Sequence, residues 1–496
     1  MIEKKLCRPV RAKRILKLLE QARAKDADFE RFGADSHQYE LSEPASEEAI
    51  QRFEEQQGIR LPEEYRDFLL LIGNGGAGPH YGIYGLEELE DEISDSDYHV
   101  KEKAVIFPKM SDEDWDRIAD PWDRREEAVC PYDGVLPIES QGCTLMTGLI
   151  LNGPYRGRVV YYDVDLCATP FFMREKGFLA WYRRWLREVI AGYSDEETGF
   201  GMNVDGNPEQ LMKLYEQTGD PEEKIDIIDS YYKFETLPDR QKTYFKQACA
   251  RESNRKVRTS IVRMMRSFHV PEMTGEMERL WEDGAYEEAV FLIRTDDARE
   301  VAEAWYEKIF EILPELHGEG FRDACYTFMR VKDRPDVHAG RLKEALKREN
   351  LDRNDRGVLF YCIRDLKRKE EVVDYFLEYL LREEDPHLLI YAIQAMDGVK
   401  DQNLQERYVK LLDQYKTHEN AILDYEGSQM VLKNGNCMGA HRPEGQIVSN
   451  LMRQFNLFGL DYRGAWKLLM DAGRWKEWKQ QNGFAASCSG EKDVSV

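Results

Sequence analysis

The sequence predicts two architectures in tandem: an α+β domain, a mostly antiparallel sheet flanked by helices, then an all-α region of HEAT-like helical repeats. Three observations predict this. Helical and strand patterns alternate up to about Tyr193. The pattern is helical throughout from about Pro208 to Lys433, with apolar helix ends recurring every thirty-odd residues. Between them lies EETGFGMNVDGNP, rich in glycine and without apolar periodicity. The expected domains are therefore 1–193, a linker at 194–207, helical repeats at 208–440, and a C-terminal helix with a disordered tail at 441–496.

In the first region, Ile15, Leu18, Leu19 and Ala22 give one apolar face to a helix over residues 8–25. Ser46 caps a second helix whose first turn carries Glu47 and Glu48, and Gly58 ends it. Pro62 opens a third, where its missing N–H costs nothing, and Tyr65, Phe68, Leu69 and Ile72 form the buried stripe. The glycines from Gly73 to Gly78 stop it. Strands are expected at 81–84 and 134–138, and a hairpin at 145–151 and 158–163 around Asn152–Gly157. A closing helix over 177–191 places Phe178, Trp181, Trp185 and Leu186 on one side.

In the second region, Val262-Arg263, Ile293-Arg294, Met329-Arg330, Ile363-Arg364 and Ile393-Gln394 each fall near a helix end, at spacings of 31, 36, 34 and 30 residues. That period suits stacked helical hairpins.

The 496 residues carry 70 Lys+Arg against 94 Asp+Glu, a net charge of -24. Such a surface repels nucleic acid and anionic membranes and suits a basic protein partner. Mean hydropathy is -0.65, and no apolar run approaches the ~18 residues of a membrane span. The nine cysteines are scattered and form no CxxC, which fits reduced thiols in a cytoplasm.

No catalytic, cofactor or metal motif survives inspection. Gly73, Gly75 and Gly78 spell GxGxxG, but a helix precedes them and a strand follows, the reverse of a dinucleotide site. The alternative is a helix stop with close backbone approach. No histidine pairs with another His or a Cys at metal-ligand spacing, and Cys143 has no neighbouring base. The basic N-terminal helix (Lys4, Lys5, Arg8, Arg11, Lys13, Arg14, Lys17) could touch nucleic acid or lipid, but is expected to rest on an acidic neighbour.

Residues 87–127 hold sixteen acids against six bases. Trp115 and Trp122 punctuate the stretch beside Asp112, Asp114 and Asp116. Charge would steer a basic partner and aromatics would anchor it. The candidate protein-binding residues are therefore Tyr81, Tyr84, Asp112, Asp114, Trp115, Asp116 and Trp122. The competing reading packs the tryptophans into the domain core.

SEEAIQRFEEQQGIRLPEEYRDFLLLIGNGG, YGIYGLEEL, VLPI with QGC, and GRVVYYDVD before an aromatic-rich helix together resemble the SUKH superfamily. That group includes fungal Smi/Knr regulators of cell-wall synthesis and many bacterial immunity proteins. The resemblance spans residues 40–191; its most specific piece runs from Leu61 to Gly76. It implies an α+β fold, no catalysis, and a protein that binds and neutralises a toxin of the nuclease or deaminase class; with the acidic charge and scattered cysteines, the expectation is a cytoplasmic protein with a basic toxin domain as partner. The added helical region makes a regulatory scaffold, as in the fungal members, the alternative.

Overall fold

The computed structural model describes residues 2–96, 99–123, 129–196, 199–273, 275–427, 442–457 and 461–484. The chain divides into two compact units, 1–268 and 269–496.

In the first unit, α1 (Ile2–Lys25) buries Ala12, Ile15, Leu19 and Ala22. The helices α2 (Glu47–Gln57) and α3 (Glu63–Leu71) follow. Ser46 Oγ accepts the Ala49 N–H (3.1 Å), and Gly58 closes α2 in the left-handed conformation. Arg8 pairs with Glu63 and Asp67 on α3, so the basic helix does lie on an acidic neighbour. Then come α4 (Leu86–Asp95) and α5 (Asp112–Asp123).

The sheet contains β1 (Val135–Gly142), β2 (Leu145–Ile150), β3 (Val159–Asp163) and β4 (Phe171–Phe172), antiparallel in sequence order. The helix α6 (Phe178–Ala191) follows. Alternation along the strands feeds two cores. Leu136, Ile138, Leu149, Val159 and Tyr161 pack with α1, α2, α3 and α6. Val135, Met146, Ile150, Val160 and Tyr162 pack with Trp115 and Ala119 of α5. The sheet is thus covered on both faces, which explains why β3 is buried along its whole length.

The expected strand at 81–84 is instead a loop. His80 and Gly82 both have positive φ, and only Ile83 bridges Gly76. The Tyr84 N–H donates to Ile138 O (2.9 Å), so this loop covers the open edge of β1.

The segment 199–207 is pinned to its surroundings. Arg184 Nη2 donates to Asn203 O (2.7 Å), Lys233 Nζ to Val204 O (2.6 Å), and Phe200 is buried. The helices α7 (Pro208–Gln217), α8 (Pro221–Asp229), α9 (Asp239–Arg251) and α10 (Arg255–Ser267) complete the unit.

The second unit is helical. Its described helices of seven or more residues are α11 (Glu276–Glu282), α12 (Tyr286–Thr295), α13 (Arg299–Ile312), α14 (Gly318–Arg330), α15 (Arg353–Asp365), α16 (Val373–Arg382), α17 (Pro386–Ala395), α18 (Gln402–Tyr415), α19 (Glu419–Gly427), α20 (Pro443–Gln454), α21 (Asp461–Met470) and α22 (Ala472–Gln481). Helices α12, α14, α15, α17 and α20 pack successively, like rungs. Ion pairs tie one rung to the next: Arg322 to Asp355 (2.7 Å) and Arg353 to Asp385 (2.9 Å). Residues 293, 329, 363 and 393 fall in the last turns of α12, α14, α15 and α17. The tail expected to be disordered, from Ala486 onward, lies outside the described residues. No helix among the described residues is long and apolar enough to cross a membrane.

Candidate protein-binding surface

Because β1, β2 and β3 are antiparallel, the end of β1, the start of β2 and the end of β3 meet at one end of the sheet. Gly142 pairs with Leu145 across the hairpin tip, and Leu145 pairs with Asp163. The loop at Tyr81 reaches this end from one face: a side chain on Gly142 would meet the Tyr81 ring at 3.0 Å. Phe32 stacks edge-on against Tyr81, ring centroids 5.3 Å apart. The first turn of α5 reaches it from the other face. Thr169 Oγ1 donates to Asp112 Oδ1 (2.6 Å), and Trp115 Nε1 to Leu166 O (3.2 Å), both on the loop after β3.

Four large apolar residues are exposed here: Phe32 (54%), Tyr81 (42%), Leu145 (46%) and Val164 (45%). Single exposed apolar residues need no explanation; here Phe32 and Tyr81 are in ring contact, Tyr81 reaches Gly142, which pairs with Leu145, and Val164 follows β3 at the same end of the sheet. Asp112, Glu113, Asp116 and Asp165 are exposed beside it. The surface is therefore apolar with an acidic border, the arrangement that suits a basic protein with a buried anchor.

The seven candidate residues divide. Tyr81 reaches this end from one face and Asp112 from the other, while Asp116 is exposed one turn along α5 from Asp112. Trp115 does not serve as an exposed anchor: it is 3% exposed and stacks on Tyr132 at 5.6 Å. Its burial follows from helix periodicity, since Trp115, Ile118, Ala119 and Trp122 recur on one stripe of α5. Trp122, half-buried, lies two turns further along that helix. Tyr84 is half-buried against the edge of β1, its hydroxyl donating to Glu92 (3.4 Å). Asp114 is a helix-capping group. It accepts from Ser111 Oγ (2.9 Å), returns the favour through its own N–H (3.1 Å), and pairs with Arg117. Those hydrogen bonds hold its carboxyl below the usual carboxylate range. Truncating Trp115 to Ala is accordingly expected to cost about 3–5 kcal/mol of stability, read from urea unfolding. A variant as stable as the parent would return Trp115 to the list of surface anchors.

Beneath Tyr81 lies a buried polar group absent from the sequence reading. His80 Nδ1 is 3.1 Å from Glu139 Oε1, and the His80 ring packs edge-on against Tyr161. Glu139 is fully buried, and its Oε2 has no close hydrogen-bond partner among the described residues. Burial pushes its carboxyl above the ordinary range, and the imidazole of His80 offsets this only in part. A raised folded-state pKa means the native protein holds this proton more tightly than the unfolded chain does. The stabilisation is complete below the unfolded value of roughly 4.3 and is lost as pH rises through the folded value. Glu139→Gln, neutral at every pH, is therefore expected to gain stability relative to the parent as pH climbs from 4 to 7. Urea midpoints across that range test this; a constant or shrinking difference contradicts it.

Residues 44–180, from the approach to α2 through the sheet to the start of α6, match the model of the SMI1 / KNR4 family (SUKH-1). This part of the chain is similar to the SUKH-1 family. No curated protein and no solved structure matches the chain. SUKH family members are in general non-catalytic binding proteins. Within the SUKH-1-like region the glycine run after α3 is architectural. The Gly76 N–H donates to Ile83 O (2.8 Å) and Ile83 N–H returns a bond to Gly76 O (2.7 Å). The GxGxxG pattern is a helix stop with close backbone approach. Phe32, Leu145, Val164 and Asp165 were missed in the sequence because nothing local separates an exposed apolar residue at a strand end from a buried one. Among the described residues no three His, Cys, Asp or Glu side chains gather to hold a metal.

Proposed function

We propose that the chain is a non-catalytic protein-binding module of the immunity type. In this reading the SUKH-1-like region docks a basic toxin domain, of the nuclease or deaminase class, against the end of its sheet. The observation that carries it is the cluster of Phe32, Tyr81, Leu145 and Val164 bordered by Asp112, Glu113, Asp116 and Asp165. The acids steer the encounter, and the apolar residues set how long the complex lasts. The chain would act in the cytoplasm, where its cysteines stay reduced.

The test is the binding kinetics of the full chain with its partner. Asp112→Lys combined with Asp116→Lys is expected to slow association about tenfold at low salt, with little change in dissociation. Tyr81→Ala combined with Phe32→Ala is expected to speed dissociation instead. Association indifferent to both salt and charge reversal would remove the sheet end from the account.

A second reading, a regulatory scaffold for endogenous proteins, is favoured by one observation. Tyr326, Tyr361 and Tyr391 are exposed at corresponding positions of the neighbouring rungs α14, α15 and α17. Read as a HEAT-like array, those rungs would offer an aromatic row to an extended segment. Deletion causing a phenotype in cells that carry no toxin gene would favour this reading.

A further inference from the structure

The second unit contains another feature with recognition chemistry. On α16, Tyr375 and Tyr379 stack one turn apart, ring centroids 5.6 Å and planes 21° from parallel. With Glu378, Arg382 and Glu383 they line an open cavity of about 190 Å³. This is below the ~300–1,000 Å³ usual for small-molecule and cofactor sites. It suits one side chain rather than a metabolite.

The walls are prearranged. Arg356 Nη1 donates to the Tyr375 hydroxyl (3.0 Å), fixing that ring. The Tyr379 hydroxyl donates to Glu383. Glu383 Oε1 also accepts the N–H groups of Glu384 (3.0 Å) and Asp385 (2.8 Å), which anchors its charge beside the rings. Glu378 is exposed and makes no ion pair or hydrogen bond with the described residues.

The surrounding chain is predominantly acidic, with Arg382 in the lining and Arg356 on Tyr375 as the cations at the cavity. Between Glu370 and Asp385 the chain carries Glu370, Glu371, Asp374, Glu378, Glu383, Glu384 and Asp385 against Arg382 alone. Aromatic faces with fixed and free carboxylates bind a cation, through the ring quadrupole and through charge. The unit already uses this chemistry internally: the Arg356 guanidinium lies 5.8 Å from the Tyr379 ring centre, and that of Arg364 lies 3.9 Å from Tyr361.

We propose that this cavity receives the cationic head of a lysine or arginine side chain presented by a basic protein. The head group would sit against the tyrosine rings, with Glu378 closing on it as the mobile carboxylate. Arg382, on the rim, opposes entry and tunes the affinity downward. The cavity does not depend on the SUKH-1-like surface, so failure of either leaves the other standing.

The test uses the full chain with ¹³C-labelled tyrosine rings, titrated with N-acetyl-arginine amide and, in parallel, N-acetyl-norleucine amide. Saturable shifts are expected for two tyrosine resonances, assigned by Tyr375→Phe and Tyr379→Phe, with arginine only. Glu378→Lys, which reverses one charge, is expected to weaken this at least fivefold, and Arg382→Ala, which removes one, to tighten it about twofold. Glu282→Lys, an equal charge change on α11, is expected to leave it unaltered. Equal response to norleucine, indifference to Glu378→Lys, or equal loss in Glu282→Lys would each overturn the proposal.

Discussion

Replacing Arg184 by methionine is expected to destabilise the first unit by about 3–5 kcal/mol, the usual result of leaving buried charges without their partner. Arg184 is wholly buried on α6. Its guanidinium bonds Glu188 (2.8 Å), Glu175 (3.0 Å) and the carbonyl of Asn203 (2.7 Å), and lies 5.6 Å from the centre of the Phe200 ring. Lys233, itself buried, reaches the same Glu188 at 3.8 Å and caps Val204 O. Burial pushes the Lys233 ammonium down to about 8, with Glu188 acting to hold it up. The network therefore contains two cations and two carboxylates that share their desolvation. Removing Arg184 orphans Glu175 and the Asn203 carbonyl and leaves Glu188 a single distant partner. Urea unfolding of the full chain measures the cost on the first transition. A loss below about 1 kcal/mol would mean that water replaces the guanidinium, and that segment 199–207 is held by Phe200 and Lys233 alone.

Gly76→Ala is the second large effect. Gly76 has φ +102, and an added Cβ would stand 2.5 Å from Glu40 O and 2.9 Å from the Leu41 Cα, both backbone atoms that cannot swing aside. The strained backbone alone costs about 1–3 kcal/mol, and the overlap adds to it, so a total of about 3 kcal/mol or more is expected. Gly58 is the control. It also has positive φ (+67), but nothing lies within 4 Å of its added Cβ. Gly58→Ala should cost only about 1 kcal/mol, the intrinsic penalty of the left-handed cap. Equal losses at the two positions would show that conformation, not the approach of the 40–41 segment, explains the glycine run.

These two residues mark how far the sequence carries. The start of α2 at Ser46, the opening of α3 after Pro62, the glycine stop and the β2–β3 hairpin are written in local chemistry, because caps, proline and turn residues act within a few positions. The same holds for the four helix ends at residues 293, 329, 363 and 393, which periodicity alone located. Helix α5 was written there too. Ser111 and Asp114 make a capping box, and Trp115, Ile118 and Ala119 give a helical stripe. The density of acids around them favours a surface segment and the stripe favours a core helix; for Trp115 the core reading holds. Other features depend on contacts between distant positions. Glu139 meets His80 across 59 residues, and Arg184 meets Asn203 across 19. The sheet end joins Phe32, Tyr81, Leu145 and Val164, and no spacing rule links those four. The Tyr375–Tyr379 pair is legible as an i, i+4 pair, but its open cavity is not.

A basic partner is proposed to dock at the sheet end. Site-specific photo-crosslinking in the source cells tests it most directly, with the crosslinking side chain placed in turn at Tyr81, Leu145 and, as an exposed control on α7, Leu214. Positions 81 and 145 are expected to capture one and the same basic protein, with a yield that falls as salt is raised in lysate, while position 214 captures none of it. Capture of that protein at 214 as efficiently as at 81, or complex formation with no crosslink at 81 and 145, would contradict it.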